Sequence, residues 1–118
     1  MEPHEVRVFP TAADFRVWLG ENHATATEQS VGYYKRGASK SSITYAEAVD
    51  EALCFGWIDG QARRISNEIS SIRFSPRRKG SNWSAINTAK VAQFTEAGRM
   101  HPAGLRAFEA RDRRKDAQ

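Results

Sequence analysis

The sequence predicts an α+β fold. We expect one small domain over residues 1–118, with a mostly antiparallel sheet, a β-hairpin at about 61–75 and three to four helices packed against it. Three observations lead there. The chain has 118 residues, the length of one domain that can bury a modest core without metal or disulfide staples. Runs at 5–9, 29–36, 61–66 and 69–75 read as strands, bounded by turn residues. Between and after these runs, apolar residues recur at i, i+3 and i+4 behind capping signals, the mark of amphipathic helices.

Composition narrows the class. The apolar fraction of 40% is well above that of a disordered chain. Eighteen Lys and Arg against 14 Asp and Glu leave a net charge of +4. That is mildly basic, compatible with an anionic partner without demanding one. The single cysteine excludes an intrachain disulfide. No apolar run approaches a membrane span, and the polar start Met1-Glu2-Pro3-His4-Glu5 does not read as a secretory signal. A cytoplasmic location is expected.

Glu5-Val6-Arg7-Val8-Phe9 alternates and reads as an edge strand, ended by Pro10. Thr11-Ala12-Ala13-Asp14 resembles a capping box with Asp in place of Glu. The helix behind it runs to about Asn22, burying Phe15, Trp18 and Leu19. A strand over 29–36 carries Val31, Tyr33 and Lys35 on one face, Gly32 and Tyr34 on the other. A basic loop with Arg36 and Lys40 follows. Thr44-Tyr45-Ala46-Glu47 is a cleaner capping box. Its helix is expected to bury Tyr45, Val49, Ala52 and Leu53 and to expose Glu47, Asp50 and Glu51. Gly56 suits the left-handed position that ends a helix. Residues 61–66 and 69–75 pair as a hairpin across Asn67-Glu68, with Ile72 and Phe74 opposite Ser71, Arg73 and Ser75. Pro76 ends the pairing. A helix over about 83–97, capped by Ser81 or Asn82, carries Trp83, Asn87, Val91 and Phe94, and Gly98 ends it. Pro102 opens a last helix with Leu105 and Phe108. The basic tail, about 110–118, is expected to fray.

Two segments concentrate the chemistry. Cys54-Phe55-Gly56-Trp57-Ile58-Asp59-Gly60 and Ser75-Pro76-Arg77-Arg78-Lys79-Gly80-Ser81-Asn82-Trp83-Ser84 hold two of the three tryptophans, the cysteine and the tightest basic cluster. These stretches, together with Ala85-Ile86-Asn87 and Gly98-Arg99-Met100-His101-Pro102-Ala103-Gly104, resemble the YdeI/OmpD-associated family. Thr44-Tyr45-Ala46-Glu47-Ala48 and the Trp18-Leu19 helix are similar to it as well. The likeness covers about residues 9–108 in order and spacing. The resemblance implies a loose function: members are described as bacteriocin-protection or antimicrobial-peptide-resistance proteins, with no mechanism or catalytic residues attached. Members commonly continue into a further helical segment ending in a basic region. This chain stops soon after the Phe108 helix, which puts any function lodged in that segment in doubt here.

Cys54 ends a helix, where the dipole disfavours a thiolate, and reads as a buried structural thiol. Asp59 reads as a turn or ion-pair residue, with Arg63, Arg73 or Arg77 as partner, or as a general base. Arg77, Arg78 and Lys79 precede a helix N-terminus, an arrangement suited to an anion. Trp57 and Trp83 can stack a planar ligand, and Asn87 can read a hydrogen-bonding edge. His4, His23 and His101 are scattered, so no metal site is expected, and no cofactor motif is present. An unfamiliar active site could still draw on Asp59, Tyr45 and the arginines.

The first functional expectation is a non-enzymatic binding protein. Its ligand cleft would comprise Trp57, Asp59, Arg63, Arg73, Arg77, Arg78, Trp83 and Asn87, for a planar or anionic small molecule. The second is nucleic-acid binding through the same surface and the basic tail, with affinity falling steeply as salt rises. The third is an enzyme with Asp59 as general base and Arg73 or Arg77 as electrophilic support.

Overall fold

Only the first half of the chain alternates strand and helix; the second half is a hairpin followed by two helices. A computed structural model describes residues 5–35, 37–38 and 40–115. The expectations at His4, at Arg36 and for the tail beyond 115 lie outside these residues. The elements are β1 (Val6–Val8), α1 (Ala12–Asn22), β2 (Gln29–Tyr34), α2 (Tyr45–Cys54), β3 (Trp57–Arg64), β4 (Ile69–Pro76), α3 (Ala85–Glu96) and α4 (Pro102–Glu109), then a 3-10 turn at Arg113–Lys115. The fold is α+β, with four helices and one four-stranded sheet in the order β1-β2-β4-β3. β1 and β2 run parallel, joined across α1, and the other pairings are antiparallel.

Local chemistry sets the helix starts. Thr11 and Thr44 each accept from the backbone N–H three residues on, while Asp14 and Glu47 bond back to the cap N–H. These reciprocal boxes satisfy N–H groups that a helix start otherwise leaves unpaired. α3 is capped by Ser84, whose Oγ accepts from the Asn87 N–H. The expected caps, Ser81 and Asn82, lie upstream, because Gly80 at φ +78° turns the chain sharply before the helix begins. Gly56 ends α2 at φ +79° and Gly98 ends α3 at φ +73°, the left-handed conformation that a Cβ penalises.

Register divides the sheet into two faces. Val31 opposes Ile72, and Gln29 opposes Phe74. Trp57 opposes Pro76, and Asp59 opposes Phe74. Side chains opposite one another share a face, so Val31, Tyr33, Ile72, Phe74, Trp57 and Asp59 look the same way. That face meets the helices. The Phe15 ring lies 5.6 Å from Phe74, and the Trp18 ring meets Trp57 edge-on at 5.8 Å. Leu19, Ala48, Ala52, Leu53, Val91 and Phe94 complete the core.

Three expectations are corrected. β3 starts at Trp57 rather than 61, so the hairpin is longer, and its strands are joined by residues 65–68. Tyr45 is 48% exposed. At the first position of α2 it leans away from the core, and Ala48 fills the buried stripe instead. Glu51 is buried, not outward. It accepts from Arg16 and from Arg99, each at 3.1 Å, which ties α2 to α1 and to the α3–α4 connection.

α4 docks through two glycines. A Cβ on Gly104 would sit 2.1 Å from the Cys54 carbonyl oxygen, and one on Gly56 2.6 Å from the Ala107 Cβ. The His101 N–H donates to the same Cys54 carbonyl at 3.0 Å. The end of α2 and the start of α4 are thus in backbone contact.

Candidate functional site

The residues expected to line one cleft are dispersed. Trp57 and Trp83 are core, at 2% and 1% exposure, so neither indole offers an open face to a ligand. Arg77 does reach Trp83, with its guanidinium 4.0 Å above the indole and Nη1 donating to the Asn82 carbonyl at 3.4 Å. The pair is therefore packed against itself. Burial pulls the Arg77 pKa down to about 10, with Asp59 opposing the shift. Arg78 is exposed, and Asn87 is half-buried in the first turn of α3.

Arg63 and Arg73 emerge on the opposite sheet face from Asp59. Arg73 is next to Phe74, the residue opposite Asp59, and alternation alone turns it away; for Arg63 the cause is a β-bulge. Asp59 opposes Phe74 but Ala62 opposes Ile72, so three steps on β3 match two on β4. One extra residue reverses the alternation. Asp59 and Arg63, which strict alternation places together, end on different faces. Arg73 approaches Glu28 at 4.0 Å on that other face.

Asp59 has a different partner. Its carboxylate accepts from the Tyr45 hydroxyl at 2.6 Å. Tyr45 meets Tyr33 edge-on, with centroids 6.3 Å apart at 82°. Both phenol pKa values are raised: that of Tyr33 by burial first, then by Tyr45 and Asp59, and that of Tyr45 by its bond to Asp59 first. These rings border a cavity of about 570 Å³ at the N-terminus of α2. Tyr33, Tyr34, Tyr45, Ile43 and Ile72 supply most of its wall, and Ser42, Thr44 and Ser70 the polar remainder. All three tyrosines of the chain border this one cavity. Tyr33 is 8% exposed, and its hydroxyl is buried with no hydrogen-bond partner among the described residues. Ser42 is satisfied: its Oγ accepts from the Tyr34 N–H at 2.9 Å and donates to the Ile43 carbonyl.

Sequence reasoning named Asp59 and Tyr45 together but gave Asp59 an arginine as partner, and it missed Tyr33, Tyr34, Ile43 and Ile72 as a site. The available signal was three tyrosines on two flanks of one loop. The spacing of α2 concealed it by placing Tyr45 on the buried stripe.

Cys54 is fully buried, and burial pushes its thiol pKa up despite the nearby Arg16. It is a core residue. His23 and His101 stack about Phe55, with 4.8 Å between the imidazoles. Among the described residues, no group of three or more His, Cys, Asp or Glu is placed to hold a metal ion, and no helix is long and apolar enough to cross a membrane.

A largely apolar cavity bordered by a carboxylate-bound phenol can orient a small molecule. A family model described as Domain of unknown function (DUF8412) matches residues 7–107, and the chain belongs to that family. No curated protein and no solved structure matches.

Proposed function

We propose that this member of the DUF8412 family is a non-enzymatic binding protein that holds a small, planar, largely apolar molecule in the tyrosine-lined cavity. The observation that carries this reading is the cavity of about 570 Å³ walled by Tyr33, Tyr34, Tyr45, Ile43 and Ile72, with Tyr45 held in place by its hydrogen bond to Asp59. The volume lies within the usual range for small-molecule sites. The resemblance to the YdeI/OmpD-associated family supports a protective role, in which a toxic small molecule is sequestered in the cytoplasm.

The test is a pocket-filling variant. Ser70 lines the cavity opposite Tyr33 in the β2–β4 register. Ser70→Phe should leave the domain folded by circular dichroism and weaken binding of a neutral aromatic probe, benzyl alcohol, at least tenfold in an NMR titration. A folded Ser70→Phe that binds as tightly as wild type would show that the cavity is not the site.

A further inference from the structure

We infer that the tyrosine cavity selects an organic cation, an ammonium group carried on an apolar or aromatic body. The inference rests on the cavity being a ligand site and adds the sign of the ligand's charge.

The walls come first. Tyr33 and Tyr45 stand at 82° to one another and form a corner of two phenol rings. Ring faces carry negative electrostatic potential and attract ammonium groups within about 6 Å of the centroid. Ile43 and Ile72 supply apolar surface for the rest of such a ligand.

The surrounding charges point the same way. Asp59 is bonded to the Tyr45 hydroxyl at 2.6 Å, so its negative charge sits at the corner. A helix N-terminus such as that of α2 would favour an anion. Here its capping box already holds a carboxylate, because Glu47 accepts from the Thr44 N–H at 3.0 Å while Thr44 accepts from the Glu47 N–H at 3.1 Å. None of the eight described lining residues is Lys or Arg. Two described arginines nearby are engaged elsewhere. Arg77 is stacked on Trp83 and donates to Asn82. Arg64, opposite Ser70 in the β3–β4 register, donates to the Ser66 carbonyl and the Asn67 side chain within its own turn. An anion in the cavity would lie beside Tyr45 and Thr44, whose polar atoms bond the Asp59 and Glu47 carboxylates, with no cation among the described lining residues. The expectation of an anionic ligand came from the basic segment 77–79, which the fold places outside this cavity.

Three probes of similar shape separate charge from fit: benzyltrimethylammonium, benzyl alcohol and benzoate, titrated into the full wild-type chain by amide NMR. The expected order of affinity is cation, then alcohol, then anion, with the cation at least tenfold tighter than the alcohol and shifts centred on Tyr33, Tyr45 and Ile72. In Asp59→Asn the cation-to-alcohol ratio should fall at least threefold, leaving the preference that the tyrosine rings supply. Benzoate binding as tightly as the cation would overturn the charge assignment while leaving the cavity as a site. Failure of all three probes to perturb those residues would overturn both readings. The wild-type ranking decides the matter even if Asp59→Asn does not fold.

Discussion

Single residues show how far a side chain's role depends on its surroundings. Trp83 reads as a stacking platform in the sequence, yet it is 1% exposed, with Phe108 edge-on at 5.2 Å. Trp83→Ala is therefore expected to cost about 3–5 kcal/mol of stability, measured by urea denaturation. Removal without loss of fold, as a surface ligand contact would allow, would contradict the packing. Two glycines make a sharper comparison. Gly20 lies on the exposed side of α1, and a Cβ there meets nothing within 4 Å. Gly20→Ala should stabilise by about 0.5–1 kcal/mol through helix propensity. Gly104 is also helical, but its Cβ would lie 2.1 Å from a backbone oxygen. Gly104→Ala should destabilise by about 1–3 kcal/mol or more, since a carbonyl cannot move aside as a side chain can. Equal effects of the two substitutions would argue that α4 is not seated on Cys54. Propensity alone, the only information local sequence carries here, predicts the same sign for both.

Among the elements, α4 is held at its start by a histidine. His101 caps it, with Nδ1 accepting from the Ala103 N–H at 3.0 Å, which requires that nitrogen to be unprotonated. Burial lowers the His101 pKa, and His23, Arg16 and Arg106 lower it further. The native state thus holds the proton less tightly than the unfolded chain, whose imidazole titrates near about 6.5. The sign follows: the cap's contribution is present above that value and is lost as pH falls through the lower native one. Stability measured from about pH 7 down to pH 5 should decline. His101→Asn, which keeps a capping acceptor without an ionisable ring, should show a smaller decline. An identical decline in both would assign the loss to other groups. Helix starts and stops at Thr11, Thr44, Gly56, Gly98 and Pro102 were legible, because each is decided within one turn by a hydroxyl, a missing Cβ or a fixed φ. The β3 bulge was not. It follows from how β3 meets β4, and it sends Arg63 to the face opposite Asp59.

For the whole molecule, Glu51 is the junction. It joins Arg16 of α1 to Arg99 beyond α3, and Arg16 also donates to the Arg99 carbonyl at 2.7 Å. Removing one partner of a buried ion pair costs about 3–5 kcal/mol. Here the arginines are 35% and 40% exposed and can rehydrate, so Glu51→Ala should cost less, about 1–3 kcal/mol. A urea midpoint unchanged by Glu51→Ala would show that the packing of α1, α2 and α4 holds without it. The acidic face read for α2 was wrong at this position, because whether a glutamate is solvated or buried depends on which arginines other elements bring to it. The same division runs through the molecule. By itself the sequence determined the α+β class, the caps of α1 and α2, the hairpin and the burial of Cys54, all of which rest on periodicities and torsions local to a few residues. Only the tertiary structure decided where a candidate site lies. It buried Trp57 and Trp83, turned Arg63 away across the bulge and gathered Tyr33, Tyr34 and Tyr45 around one cavity. A cavity is made by residues distant in sequence, and its shape and charge are properties of their packing.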